Sequence, residues 1–256
     1  METSLRMVAL KQHYFTPAEA NIPNNKQILP THDAKSLILN YKLLKEKQEN
    51  FTRNDNTFKE MDGFLILESS GMGFPEDVRQ ICLADKQLKV VVEDDFSYFT
   101  EVLYVDVSEN FLRLEPFAAF PKLVELKIAC NNINKVDNIF GFDSLMYLDL
   151  SYNKLSISSI LFLQSIPNLK ELDLCGNNLG GLPEDLKGFA NLEKILLEYN
   201  KIDKPNVFIS LASIPNLRQV SLANNFLSSV PRESCLDGSL KLDYIKFFIL
   251  ILYNKF

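Results

Sequence analysis

Few residues of this 256-residue chain could carry covalent or metal chemistry, and their spacing supports none of it. Both histidines, His13 and His32, fall in an irregular N-terminal stretch, so neither a zinc cluster nor a histidine-based triad can form in the body of the chain. Gly71-Met72-Gly73 is a lone G-x-G, which reads as a turn and not as a phosphate loop. Cys82, Cys130, Cys175 and Cys235 are scattered and read as free thiols. These residues predict no enzyme, no cofactor and no metal site. What recurs is acid and phenol: Tyr104, Asp106, Glu125, Lys127, Tyr147, Asp149, Tyr152, Glu171, Asp173, Lys194 and Tyr199 return in step along the middle of the chain. Carboxylates beside tyrosines suit non-covalent capture of a basic protein segment, because tyrosine offers broad contact area at low entropic cost.

The element that must position them is a repeat. Read against L-x-x-L-x-L-x-x-N-x-L, the chain carries VRQICLADKQL, VLYVDVSENFL, LVELKIACNNI, LMYLDLSYNKL, LKELDLCGNNL, LEKILLEYNKI and LRQVSLANNFL. The asparagine column falls at Lys86, Asn110, Asn131, Asn153, Asn177, Asn200 and Asn225, with gaps of 24, 21, 22, 24, 23 and 25 residues. That is the period of a leucine-rich repeat. The L-x-L residues of each copy must alternate inward as a strand does, and the asparagine amide is placed to satisfy backbone groups bared where the chain bends away.

One repeat cannot bury its own apolar face, so the copies must stack. The predicted fold is α/β: a curved leucine-rich repeat solenoid with a parallel concave sheet and short helical or irregular convex returns, starting at Phe117, Ser156, Leu182 and Val207. On the concave face one column reads Gln80, Tyr104, Glu125, Tyr147, Glu171, Lys194, Gln219, and the next reads Cys82, Asp106, Lys127, Asp149, Asp173, Leu196, Ser221. Asp149 and Asp173 should be neighbours flanked by Tyr147 and Tyr152, with Lys127 partly neutralising Asp106 and Asp149. A basic partner segment would relieve the repulsion between the two aspartates.

Three stretches follow. Residues 1–60 form an N-terminal extension with a short helix around Leu37 to Gln48. Residues 61–230 form the solenoid, including a degenerate N-terminal cap in GFLILESSGM, where Leu65, Leu67, Ser70 and Met72 fit the core columns. Residues 231–256 form an atypical tail, in which Ser239 to Tyr244 could add a strand. A net charge of −6 argues against nucleic acid as partner. The longest apolar run, Phe247 to Tyr253, is far shorter than the ~20 residues that span a bilayer, and the start has no secretory h-region. The scattered cysteines, without clustered caps, point to a reducing compartment.

The stretches VDVSENFLRLEPFAAFPKLVELKIACNNI, GFLILESSGMGFPEDVRQICLADKQLKVVVEDDF and LPTHDAKSLILNY resemble the X-ray radiation resistance-associated protein family, over roughly Pro30 to Pro231. The resemblance implies a non-enzymatic protein of cytoplasm and nucleus linked to the response to X-rays, with no catalytic residues to carry over. The family pattern continues beyond these repeats, whereas this chain ends in KFFILILYNKF and reads as an early-terminating form. Three functional readings stay open: an interaction scaffold, a regulatory subunit docking on an enzyme such as a protein phosphatase, and a cytoskeletal or ciliary scaffold.

Overall fold

The computed structural model describes residues 59–137 and 139–227. The expected extension helix, the tail, both histidines and Cys235 lie outside these residues. Seven three-residue strands are laid down by the L-x-L cores: β2 (Gln80–Cys82), β4 (Tyr104–Asp106), β5 (Glu125–Lys127), β6 (Tyr147–Asp149), β7 (Glu171–Asp173), β8 (Lys194–Leu196) and β9 (Gln219–Ser221). They pair in parallel, in chain order and without a register slip, as one seven-stranded sheet. The solenoid predicted from the repeats is what forms.

The reason lies in the alternation. Val105, Leu126, Leu148, Leu172 and Ile195 point inward from successive strands, and Val107, Ile128, Leu150, Leu174 and Leu197 follow two positions on; all are buried. Full burial of each such side chain contributes roughly 1.5–3 kcal/mol, and each is covered by the equivalent residue one repeat along. The returns close the far side. Glu115–Ala119 is a 3-10 turn, Ile157–Leu163 and Val207–Ala212 are helices, and the Leu182 segment stays irregular. Its Pro183, with Gly180 and Gly181 before it, accounts for that.

The asparagine column forms a ladder that reaches backward. Asn153 Nδ2 donates to Leu150 O in its own repeat and to Ile128 O in the one before, while its Oδ1 accepts the N–H groups of Asn131 and Ile133. Asn110 and Asn200 do the same in their repeats. Lys86 breaks the column in the repeat of β2, the first strand of this sheet, so an asparagine there would have no earlier repeat to serve.

A second ladder, invisible in the template, runs along the opposite turn. Asn168, Asn191 and Asn216 each donate through Nδ2 to a carbonyl of the previous repeat, at Asp143, Pro167 and Ala190. Ser144 does so to Pro121 through its hydroxyl.

The N-terminal cap differs from the expectation. Gly63–Ser70 is not a degenerate repeat strand but a helix, α1, that packs on β2. Asp62 caps its first turn, and Gly71, at φ +69°, ends it in the left-handed conformation that glycine adopts without penalty. Phe64, Ile66 and Leu67 are buried by it, whereas Leu65 and Ser70 are half-buried and Met72 is 42% exposed. Beside α1, β1 (Lys59–Met61) pairs in parallel with β3 (Leu88–Val91), which leads into a one-turn helix, α2 (Glu93–Phe96).

Candidate functional site

Three columns of side chains stand on the sheet face away from the core. The register puts Tyr104 beside Glu125, Glu125 beside Tyr147, Tyr147 beside Glu171 and Glu171 beside Lys194; one step along the strands come Asp106, Lys127, Asp149, Asp173 and Leu196. A hollow of ≈ 220 Å³ opens among Glu125, Lys127, Tyr147, Asp149, Asp173 and Lys194, with Glu171 and Leu196 also on its wall. Its size fits one side chain of a partner better than a free small ligand. Tyr104 and Asp106 stand one strand toward the N-terminus, outside its wall.

The charges pair differently from the expectation. Lys127 makes no ion pair with Asp106 or Asp149, although both are its register partners. Its Nζ lies 3.4 Å from Glu125 and 5.3 Å from the centre of the Tyr104 ring, and the Tyr104 phenol, then Glu125, hold this ammonium above its usual range. Glu125 sits two positions earlier on the same face of the strand, whereas the carboxylates of the register partners Asp106 and Asp149 are turned to the Ser108 and Ser151 N–H groups. Lys194 likewise turns to Glu171 at 3.0 Å. Both lysines are thereby drawn to the glutamate column. Among the described residues no cationic side chain bridges Asp149 or Asp173.

These aspartates also hold backbone. Asp149 Oδ1 accepts the Ser151 N–H and Asp173 Oδ1 the Cys175 N–H, both at 2.8 Å; Asp106 does the same for Ser108 at 3.0 Å. The carboxylate thus steadies the exit from the strand, as Asx turns do, and is more than an exposed charge. Burial raises the Asp173 carboxyl above its ordinary value; the hydrogen bonds of Cys175 oppose this, and neighbouring Asp149 and Glu198 reinforce it. Cys175 is buried, and burial together with Asp173 pushes its thiol well up. Cys82 and Cys130 are exposed free thiols.

One further column rims the face. The residue before each asparagine position has φ near +60°: Asp85, Glu109, Cys130, Tyr152, Gly176, Tyr199 and Asn224. Tyr152 and Tyr199 are each 56% exposed on this rim. A bulky residue in the left-handed region is uncommon. Tyr152 leans over Gly176, so that a Cβ there would meet its Cδ1 at 2.6 Å. The expected flanking of the aspartates by Tyr147 and Tyr152 therefore splits, with Tyr147 in the hollow and Tyr152 on the rim. Among the described residues no group of acids, histidines and cysteines is set to hold a metal, and no helix is long and apolar enough to cross a membrane.

Comparison with known proteins agrees with this architecture. The Leucine Rich Repeat family model matches residues 144–166 and 168–189. Mouse X-ray radiation resistance-associated protein 1 is 34% identical over 171 residues, which is 59% of this chain and 22% of that protein. Chicken lumican is 38% identical over 130 residues, covering 48% of this chain and 36% of lumican. Among solved structures, that of the TLR13–ssRNA13 complex superposes with a TM-score of 0.56 at 23% identity, covering 70% of this chain and 25% of that one; this shows the fold alone. The chain thus spans between a fifth and two fifths of the lengths of these two curated relatives.

Proposed function

We propose that this leucine-rich repeat protein, similar over 59% of its length to mouse X-ray radiation resistance-associated protein 1, is a non-enzymatic scaffold that binds a basic protein segment on its concave sheet. A protein–protein interaction role follows from the repeat family. The finer reading rests on one observation: Asp149 and Asp173 are register partners while both nearby lysines are engaged elsewhere. Like charges side by side on a sheet destabilise by ~0.2–1 kcal/mol. A guanidinium or ammonium entering the hollow would offset that repulsion, and Tyr147 would pack along its aliphatic stem. The likeness to the mouse protein supports a part in the response to X-rays, and a place in the cytoplasm and nucleus is part of the same proposal.

Affinity capture from irradiated and unirradiated cells tests both parts. The wild-type chain should retain a partner that Asp149→Asn/Asp173→Asn loses, and the retained amount should change on irradiation. Capture that is identical for the two chains would remove the concave site. Capture indifferent to irradiation would remove the X-ray role. Co-purifying phosphatase activity would favour a regulatory subunit instead, and a tagged chain confined to cilia or filaments would favour a cytoskeletal scaffold.

A further inference from the structure

Asp62 and Asp95 bring two fully buried carboxylates to the start of α1. Asp62 accepts the Leu65 N–H through Oδ1 at 2.8 Å. Asp95 reaches across from α2 and accepts the Gly63 N–H through Oδ2 at 2.9 Å. Its other oxygen, Oδ1, is buried without a hydrogen-bond partner among the described residues. A helix N-terminus favours negative charge, but two carboxylates close together and away from water resist ionising at once. The helix they hold covers β2, the first strand of the seven-stranded sheet. Loosening its start would bare an unpaired strand edge, a ready template for another chain.

We propose that Asp95 is a proton-controlled latch on the N-terminal cap: with a proton bound it holds α1 over β2, and ionised it lets α1 lift from the sheet edge. Among the described residues the charged groups that act on Asp95 are Asp62, at the cap of α1, and Asp94 on its own helix, and both favour the protonated form. Glu93 turns away to Arg113 at 3.9 Å. Glu115, on the 3-10 turn packed against α2, has a buried oxygen of its own without a partner and supplies no neutralising charge. Burial most of all, against the opposing Gly63 hydrogen bond, raises the Asp95 carboxyl from 3.8 to about 6. The latched state binds the proton more tightly than the open state. The latch is therefore fully closed below the ordinary carboxylate range and loosens as pH rises through about 6.

Hydrogen exchange of the α1 amides in the full chain reads this directly, after correction for the intrinsic rate at each pH. Their opening should be about tenfold more populated at about pH 7.5 than at about pH 5, while the amides of β6 to β8 keep their protection. Asp95→Asn, which retains an acceptor for Gly63, should level the α1 difference. Should that variant not fold, a carboxyl NMR titration of the wild type should show Asp95 titrating near 6 in step with the α1 amides. Equal α1 protection at both pH values would overturn the latch. So would a pH dependence that survives in Asp95→Asn, or an Asp95 carboxyl that titrates in the ordinary range.

Discussion

Asp149 and Asp173 are register partners on adjacent strands, and each also accepts the backbone N–H two residues further on. One carboxylate thus has two jobs: it steadies the turn out of its own strand and presents charge to the concave face. Asparagine can do the first and not the second. Asn at both positions should keep the melting transition within about 1 kcal/mol of wild type, because the acceptor oxygen stays. Lys at both positions removes the acceptors and should cost more; thermal denaturation of the two double variants side by side checks this.

The asparagine ladder should dominate stability. Asn153→Ala leaves five backbone groups without their side-chain partner and should cost about 3 kcal/mol or more. Lys86→Ala, at the same repeat position but exposed, should stay within about 0.5 kcal/mol. Denaturant midpoints of the two variants measure the contrast, and equal midpoints would contradict the ladder.

This much was legible because Leu148, Leu150 and Asn153 recur at fixed intervals, and stacking forces equivalent residues to meet. Less was legible where two physical solutions fit the same letters. Phe64, Leu65, Ile66 and Leu67 satisfy a strand or a helix equally well, and Asp62 at one end with Gly71 at the other decides for the helix. The direction in which Lys127 turns was hidden for another reason. Asp106 and Asp149 are its register partners, one strand spacing away, and only the backbone N–H groups that their carboxylates accept leave Glu125 as the ion-pair partner. The second ladder had a signal: Asn168, Asn191 and Asn216 each stand one residue before the leucine that opens a repeat.

Gly176 should tolerate no side chain well. Its φ of +67° disfavours alanine, and the new methyl would press on Tyr152. Gly176→Ala should destabilise by about 1 kcal/mol or more, and by less when Tyr152 is also alanine. A double-mutant cycle on unfolding free energies measures that coupling.

Thiol chemistry should split the three described cysteines. Cys82 and Cys130 are exposed, whereas Cys175 is buried and its thiolate is disfavoured. Alkylation of the native protein, mapped by peptide mass, should label the first two about tenfold faster or more than Cys175. Equal rates would place Cys175 at the surface.

Acidification should weaken capture of a basic segment earlier than ordinary carboxylates would allow. Burial raises the Asp173 carboxyl, so it takes up a proton while exposed acids are still charged. Affinity should therefore start to fall above the usual carboxylate range as pH is lowered. The binding curve of Asp173→Asn should be weaker and flatter over the same range.

The most direct test of the concave-face assignment is titration calorimetry with an arginine-rich peptide at about 0.15 M salt, where exposed charges are screened over about 8 Å. Three chains are compared: wild type, Asp149→Asn/Asp173→Asn, and Glu184→Gln/Asp185→Asn, which removes the same two charges from an exposed convex return. The expected result is a loss of tenfold or more in affinity, about 1.4 kcal/mol, for the concave variant and near-wild-type binding for the convex one. Equal affinities for the two variants would show that only net charge matters and would contradict a binding site at Asp149 and Asp173.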